Sequence, residues 1–298
     1  MTGLGRALLG WLLALESALL AWPADAEETV RLGSYTLRRE WSRAEVRGTY
    51  ELWAQELARK FRIPVTITQY EDVGELRRDF LSGKINGINT DAMTFVRNFR
   101  LEELAEGYRT VMKGGWNLKL YAGREAPIRN FADLAGKRIA VLEENDVGDL
   151  YLETLCLRHH ALPCKDVFAD IQRTTTNNQA LLRVFFGKAD LALVHGYGYE
   201  VAVEMNPKLA PSLRQIDEHP IPSLYYAFYS AKSDKALREH TLRIIPSIHT
   251  YPRGRQLLDI FKMERLELAE PSELKPFQQL DRDYRELKAR ALRGGGRK

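Results

Sequence analysis

Between residues 30 and 194, segments with one spacing of apolar residues alternate with segments that have another. A helix is predicted where they recur every three or four residues, as at Val46, Tyr50, Trp53, Leu57 and Phe61. Strands are predicted where short apolar runs lie between polar turns, as at residues 30–34, 65–68, 85–89 and 191–194. Strands that alternate with helices in this way predict an α/β fold in which helices cover mostly parallel sheets.

Residues 130–157 carry the clearest strand–loop–helix pattern. Residues 139–142 form a short apolar run that is typical of a buried parallel strand. Polar residues follow, and then an amphipathic helix for which Asp146 is the predicted N-cap, with Asp149 three residues later. Open α/β folds bind ligands at the carboxyl ends of their strands, near helix N–H groups, so this loop is a candidate ligand site. An ordinary strand–helix unit without a ligand explains the same pattern.

Two segments of the chain resemble each other and predict two similarly built lobes. FLSGKINGINT (residues 80–90) and VFFGKADLALV (residues 184–194) share a helix end, a Gly-Lys pair and an apolar strand. Residues 213–230 are extended and marked by Pro220 and Pro222, which predicts the return from the second lobe to the first. The last apolar stripe, with Phe277 and Leu280, predicts a C-terminal helix packed on the body.

The first 26 residues predict a secretory signal peptide. Arg6 precedes an apolar run, and Ala24-Asp25-Ala26 is a small-x-small cleavage site. Glu16 interrupts that run, which is shorter than the about 20 apolar residues of a membrane span, so an uncleaved anchor is the less favoured alternative. We therefore expect an exported, periplasmic protein.

The charge and the cysteine content of the chain make some classes of function less favoured than others. The net charge of +4 is scattered, without a Lys/Arg block interleaved with aromatics, so nucleic acid is not an expected partner. The two cysteines, Cys156 and Cys164, fit one disulfide in an exported protein, because Pro163 turns the chain back between them. Zinc bound by these cysteines with His159 and His160 is the less favoured alternative. No cofactor and no metal site is predicted.

Four motifs make the chain resemble the type 2 periplasmic solute-binding proteins of phosphate, phosphite and phosphonate ABC importers. The motifs are DLAGKRIAV (133–141), GKADLALV (187–194), HPIP (219–222) and GKINGIN (83–89). The resemblance runs from about residue 30 to residue 262. It implies two lobes, each a mixed, mostly parallel sheet flanked by helices, with two crossover strands as the hinge. It also implies a ligand held in the cleft between the lobes.

With this resemblance, the chain divides into four parts. We expect a signal peptide at 1–26, the first part of lobe 1 at 27–115 and lobe 2 at 116–218. Residues 219–298 are expected to return to lobe 1 and to add the C-terminal helices.

The candidate ligand-binding residues lie at the predicted cleft, and each has a structural alternative. Thr175, Thr176 and Asn177 place polar side chains at a helix N-terminus, with Asn177 as the predicted N-cap. Helix capping or packing explains many of the candidates equally well. The full candidate set is Tyr35, Asn89, Thr90, Asp91, Trp116, Asn145, Asp146, Thr175, Thr176, Asn177, His195 and Tyr197.

The loop before the helix at Asp146 departs from the resembled family. Members that bind phosphonates have a Ser/Thr-rich turn there, whose hydroxyl and N–H groups hold an oxyanion. This chain has Asn145 and Asp146 instead, although Gly148 is kept. A carboxylate beside an oxyanion costs roughly a few kcal/mol at an effective dielectric constant near 20. We therefore predict that the ligand is not a simple phosphonate.

The function predicted from the sequence is that of a binding protein. It would bind a small polar solute and deliver it, as a monomer, to an ABC permease in the inner membrane. A sensor accessory that docks on a membrane receptor or kinase is the alternative, and neighbouring genes would discriminate the two. An enzyme on the same fold is less favoured, because no nucleophile–base pair, metal motif or Gly-rich phosphate loop is present in the sequence.

Overall fold

The computed structural model describes residues 29–35, 43–143 and 146–295. The predicted signal peptide and the candidate residue Asn145 lie outside these described residues.

The described strands form two sheets. The strands are β1 (Val30–Tyr35), β2 (Val65–Gln69), β3 (Gly87–Asp91), β4 (Leu104–Met112), β5 (Leu118–Gly123), β6 (Arg138–Leu142), β7 (Asp170–Thr174), β8 (Leu191–His195), β9 (Leu213–His219), β10 (Tyr225–Ser230) and β11 (Met263–Ala269). One sheet has six strands in the order β11-β4-β10-β3-β1-β2, and the other has five in the order β7-β6-β8-β5-β9. We call the units built on them the first and the second lobe.

Helices cover both sheets. They are α1 (Arg43–Phe61), α2 (Val73–Leu81), α3 (Ala92–Asn98), α4 (Asp146–His160), α5 (Cys164–Val167), α6 (Asn177–Phe185), α7 (Gly196–Met205), α8 (Leu209–Ser212), α9 (Lys235–Ile244), α10 (Pro252–Ile260) and α11 (Lys275–Gly295). Short 3-10 helices lie at Leu101–Glu103, Phe131–Leu134, Ile245–Thr250 and Pro271–Leu274. The chain passes from the first sheet to the second between Met112 and Leu118, and it returns between His219 and Tyr225. The predicted two-lobed α/β fold is confirmed.

The repeat seen in the sequence corresponds to the same arrangement in both lobes. The Arg31 N–H donates to the Asn86 side chain at 2.8 Å in the first lobe, and the Arg138 N–H donates to the Asp190 carboxylate at 2.8 Å in the second. In each lobe these residues lie beside a glycine that ends a helix with a positive φ, +80° at Gly83 and +67° at Gly187. Glycine adopts this left-handed conformation without a steric penalty, which explains the shared Gly-Lys pair.

One buried core extends through both lobes. It joins Phe95 and Phe228 of the first lobe to Leu118 and Leu155 of the second. Helix α11 packs against α4 and α3, and its Phe277 and Leu280 belong to this core. The predicted packing of the last helix is therefore confirmed. A second core lies between the first sheet and helices α1, α9 and α10.

Several element boundaries differ from the sequence prediction. Strand β3 begins at Gly87 instead of Ile85. The apolar pattern predicts a strand over residues 167–171, but β7 begins at Asp170 because the preceding residues form the short helix α5. Strands β4 and β11 were not predicted. They pair with each other, and β11 is an edge strand in which charged residues alternate with apolar ones, so its apolar signal is weak.

Cys156 and Cys164 form a disulfide, with 5.3 Å between their Cα atoms. It joins α4 to the start of α5, and both residues are buried. The zinc alternative fails, because the two sulfur atoms are bonded to each other.

We expect the Cys156→Ala/Cys164→Ala variant to lose about 2–3 kcal/mol of stability against urea, because the closed loop is short. A reducing agent should destabilise the wild type by a similar amount and leave the variant unchanged. Two free thiols in unreduced, denatured wild-type protein would contradict the disulfide.

Candidate functional site

The two lobes meet at a cluster of aromatic rings, which we call the junction cluster: Trp116, His195, Tyr197 and Tyr225. The Trp116 ring centroid lies 6.0 Å from that of His195, 5.1 Å from that of Tyr197 and 5.7 Å from that of Tyr225. His195 ends β8 of the second sheet, whereas Tyr225 begins β10 of the first. The junction cluster therefore links the carboxyl end of a second-lobe strand to the first lobe.

Hydrogen bonds hold the junction cluster in one arrangement. Trp116 is 3% exposed, and its Nε1 donates to the Thr110 carbonyl at 3.0 Å. His195 Nδ1 lies 2.9 Å from the Trp116 carbonyl, which can only accept, so Nδ1 carries the proton. Burial lowers the pKa of His195 to about 4, although the bond to Trp116 opposes that shift. His195 is therefore neutral near pH 7.

Asn177 supports the end of β8. Its Oδ1 accepts from the backbone N–H of His195 at 3.0 Å, and Asn177 is buried. A Cβ at Gly198 would lie 2.2 Å from Cγ of Asn177, so the glycine allows this close approach. The N-cap of α6 is Thr176, and the prediction that Asn177 would be the cap is wrong. The side-chain oxygen of Asn177 instead accepts the hydrogen bond from His195 of strand β8.

Thr175 and Thr176 are exposed at the start of α6, and both contact Gln179. Thr175 Oγ1 donates to Gln179 Oε1 at 3.0 Å, and Thr176 Oγ1 accepts from the Gln179 backbone N–H at 3.2 Å. The structural alternative, a polar turn that caps the helix, therefore describes the local hydrogen bonding. Because the side chains are exposed, they remain accessible to a solute.

The first-lobe candidates divide into buried and accessible ones. Thr90 is fully buried, and its Oγ1 donates to the Tyr35 carbonyl at 2.5 Å. Asp91 is the N-cap of α3, accepting from the backbone N–H and Oγ1 of Thr94 at 2.9 and 2.5 Å. Tyr35 and Asn89 are partly exposed. Thr90 and Asp91 thus shape this edge of the sheet, where the side chains of Tyr35 and Asn89 are accessible.

An ion pair joins helix α3, which follows β3 of the first sheet, to helix α4, which follows β6 of the second. Arg97 Nη1 of α3 lies 2.7 Å from Asp146 Oδ2 at the first residue of α4, and both side chains are exposed, at 40% and 53%. Arg97 Nε is 4.0 Å from Asp281 Oδ1 of α11. The charge of Asp146 is therefore compensated by an arginine that the sequence analysis did not single out. No motif marks Arg97, which is 49 residues away from Asp146 along the chain.

A second arginine lies at the second-lobe edge. Arg173 Nη1 donates to Asp149 Oδ1 at 2.6 Å and to the Leu142 carbonyl at 3.2 Å. Burial raises the pKa of Asp149, and the ion pair with Arg173 opposes this rise. Asp149, which lies three residues after the predicted N-cap Asp146, therefore forms an ion pair with Arg173.

The first lobe contains an apolar cavity of about 170 Å³. It lies between the first sheet and helix α1, and it extends to Trp116 and Tyr225 of the junction cluster. Among the candidate residues that the structure describes, Asn89 and Trp116 line it. This cavity could not be predicted from the sequence, because its walls look like ordinary core positions of a helix and a sheet.

None of the helices in residues 29–35, 43–143 and 146–295 has the length and hydropathy of a membrane span. Within the same residues, no three His, Cys, Asp or Glu side chains are grouped as ligands for a metal ion.

Comparison with solved structures identifies the fold. A binding protein component of a Pseudomonas aeruginosa ABC phosphonate transporter has a TM-score of 0.57 at 13% identity, with 89% of each chain covered. A Xanthomonas citri protein bound to a chloride ion has a TM-score of 0.61 at 13% identity, covering 88% of this chain and 100% of that one. PhnD1 of Prochlorococcus marinus, in complex with methylphosphonate, has a TM-score of 0.59 at 14% identity, covering 85% of this chain and 97% of that one.

Comparison with protein families identifies the family. A search of curated proteins gives no match. Residues 41–274, most of the chain, match the family described as the periplasmic substrate-binding protein of a phosphonate ABC transporter. This match confirms the resemblance drawn from the four sequence motifs. The chain belongs to the family of periplasmic substrate-binding proteins of phosphonate ABC transporters.

Proposed function

We propose that this protein captures a small polar solute between its lobes and delivers it to an ABC permease in the inner membrane. It acts as a monomer after export through its signal peptide, and it catalyses no reaction. Lobe 1 comprises residues 27–115 and 219–298, and lobe 2 comprises residues 116–218. The ion pair between Arg97 of α3 and Asp146 of α4 is the observation that carries the proposal. It links the helices that follow β3 and β6, which supports a cleft between the carboxyl edges of the two sheets.

Within this cleft, the accessible candidates would contact the solute and the buried ones would position them. Tyr35 and Asn89 contribute from the first lobe, and Asp146, Thr175 and Thr176 from the second. Asn145 is proposed beside Asp146. Binding closes the cleft only to the extent that both lobes contact the solute, because a ligand shifts an equilibrium by its differential affinity for the two states. The supporting candidates are Thr90, Asp91, Trp116, Asn177, His195 and Tyr197.

A thermal-shift screen tests the proposal. The purified protein is heated with phosphonates, phosphite, sulfonates, amines and amino acids in separate wells. A solute present at 100 times its dissociation constant stabilises the folded protein by about 2.7 kcal/mol, which a melting curve resolves. We expect at least one small polar solute to raise the melting temperature in a concentration-dependent manner. A protein that none of these classes stabilises would contradict the proposal.

Asp146 decides between ligand classes. In the Asp146→Ser variant, Arg97 loses its nearer counter-ion and keeps Asp281 at 4.0 Å, and both the arginine and the N-terminus of α4 then favour an anion. We expect calorimetry to detect methylphosphonate or phosphate binding by this variant and not by the wild type. The Asp146→Ser/Arg97→Ala variant is the control, and it should bind neither.

Two outcomes would contradict this account of Asp146. Micromolar or tighter binding of an alkylphosphonate by the wild type would show that the ligand is a simple phosphonate. If Asp146→Ser instead weakens binding of the native solute by about 1–3 kcal/mol without gaining an anion, the carboxylate contacts a cationic or hydroxylated group of that solute.

A further inference from the structure

We infer that the solute carries an apolar group, of the size of a phenyl ring, which enters the first-lobe cavity between α1 and the sheet. This inference rests on the proposed function and specifies its ligand class. The solute's polar group would stay in the cleft, and its apolar group would extend behind the junction cluster into the first lobe.

The size and walls of the cavity fit an apolar group. Its volume is about 170 Å³. An apolar cavity of about 150 Å³ in another protein stays dry and binds benzene. Most of the lining side chains are aliphatic or aromatic, among them Leu57, Ile67, Phe261 and Leu266, and Asn89, Arg109 and Thr110 are the exceptions. Water would find few hydrogen-bonding partners on such walls, whereas a hydrocarbon group would gain contacts.

The cavity extends along the first sheet towards the carboxyl end of β3. Val30 lines one end, at the amino end of β1, and Asn89 lines the other, where it is paired with Ser34 of β1. Four residues of strand separate these levels, or about 13 Å. The polar contacts lie at the Asn89 end, where Ser34 Oγ donates to the Tyr50 hydroxyl at 2.7 Å. An amphiphilic solute would therefore enter with its apolar group first.

The charge on the walls excludes a charged group from the interior. Of the described residues that line the cavity, Arg109 is the charged one, and it is paired with Glu267 at 2.7 Å and with Glu273 at 3.2 Å. A phosphonate or ammonium group placed inside would lose its hydration without gaining a counter-ion, which is costly. The charged or polar group of the solute must remain at the cleft.

An unpaired donor gives independent support. Trp53 lines the cavity and is 9% exposed, yet its Nε1 has no hydrogen-bond acceptor among the described residues. The Nε1 of Trp116, by comparison, donates to a carbonyl. Buried indole N–H groups normally find a partner. An acceptor atom on the bound solute, such as an oxygen on its ring, would supply one to Trp53.

The test uses a variant that fills the cavity. Ala227 of β10 lines the cavity, so Ala227→Leu adds three carbons to its interior. The probes are benzene itself and three phenyl–methyl pairs: phenylphosphonate with methylphosphonate, benzenesulfonate with methanesulfonate, and benzylamine with methylamine. Ala122→Leu is the matched control, because Ala122 is fully buried in β5 of the second lobe, away from the cavity.

We expect benzene to raise the melting temperature of the wild type and to leave the melting temperature of Ala227→Leu unchanged. In the wild type, at least one phenyl probe should bind about tenfold or more tightly than its methyl partner, which is the gain from burying a group of this size. That ratio should fall close to one in Ala227→Leu. The variant should melt no lower than the wild type, whereas Ala122→Leu, which overfills a packed core, should melt several degrees lower.

The outcomes separate this inference from the proposed function. A wild type that benzene does not stabilise, or a phenyl–methyl ratio that persists in Ala227→Leu, overturns the inference. If benzene stabilises the wild type while no solute with a polar group binds, the cavity binds an apolar group but the proposed function is wrong. If methyl probes bind as tightly as phenyl probes, the proposed function stands and the inference fails.

Discussion

Replacing Trp116 with alanine is expected to lower the free energy of unfolding by about 3–5 kcal/mol, the cost of truncating a large buried aromatic residue. Trp116 is 3% exposed and contacts three rings, which come from both lobes. The truncation removes these contacts and leaves a cavity where the lobes meet. Denaturant unfolding followed by circular dichroism measures the change.

Trp116→Phe is the matched variant for this prediction. It keeps an aromatic ring but removes the donor to the Thr110 carbonyl, which still accepts from Ser223 Oγ at 3.0 Å, so a smaller loss of about 0.5–1.5 kcal/mol is expected, the net contribution of one hydrogen bond. An alanine variant that unfolds within 1 kcal/mol of the wild type, on the order of an ordinary surface substitution, would show that the junction cluster does not hold the lobes together.

The stability of the protein is expected to fall as the pH falls from about 6.5 to 4, with His195 contributing about 3 kcal/mol of the loss. Burial lowers the pKa of His195 to about 4 in the folded protein, below its value in the unfolded chain. The unfolded chain therefore binds a proton in this interval and the folded protein does not. The contribution is fully present above pH 6.5 and is lost as the pH falls through the interval to about 4.

The His195→Gln variant isolates this contribution. His159 and His219 also have lowered pKa values, chiefly because of burial, so the wild-type curve contains more than one histidine. The relevant quantity is the difference between the unfolding free energies of the variant and the wild type, measured in urea at pH 4, 5, 6 and 7. We expect this difference to shrink towards pH 4. Parallel curves over the whole interval would refute the role given to His195.

The fold could be predicted because its signals are local. The Gly-Lys pairs at residues 83–84 and 187–188 each end a helix and precede a strand, and both glycines have the positive φ that this requires. Strand β11 could not be predicted in the same way. Its residues form an edge strand, so its position depends on pairing with the distant strand β4. Pairings of this kind leave little trace in a local pattern.

The candidate site was predicted less completely than the fold. The residue types at the ends of the strands predicted candidate residues such as Asp91, Asp146 and Thr175, and their role in binding stays a prediction. Their partners were not visible in the sequence, because Arg97 and the cavity arise from contacts between segments that are far apart. Polar residues at helix starts satisfy the helix and can also contact a ligand, so the sequence alone does not separate these roles.

Titration calorimetry with the tightest binder from the thermal-shift screen tests the central claim, that both lobes hold the solute. Asn89→Ala changes the first-lobe edge, and Thr175→Ala changes the exposed turn of the second lobe. We expect one solute per chain in the wild type and a loss of about tenfold or more in affinity in each variant, the effect of removing one hydrogen bond to the ligand. Wild-type affinity in either variant would contradict a site shared by the two lobes.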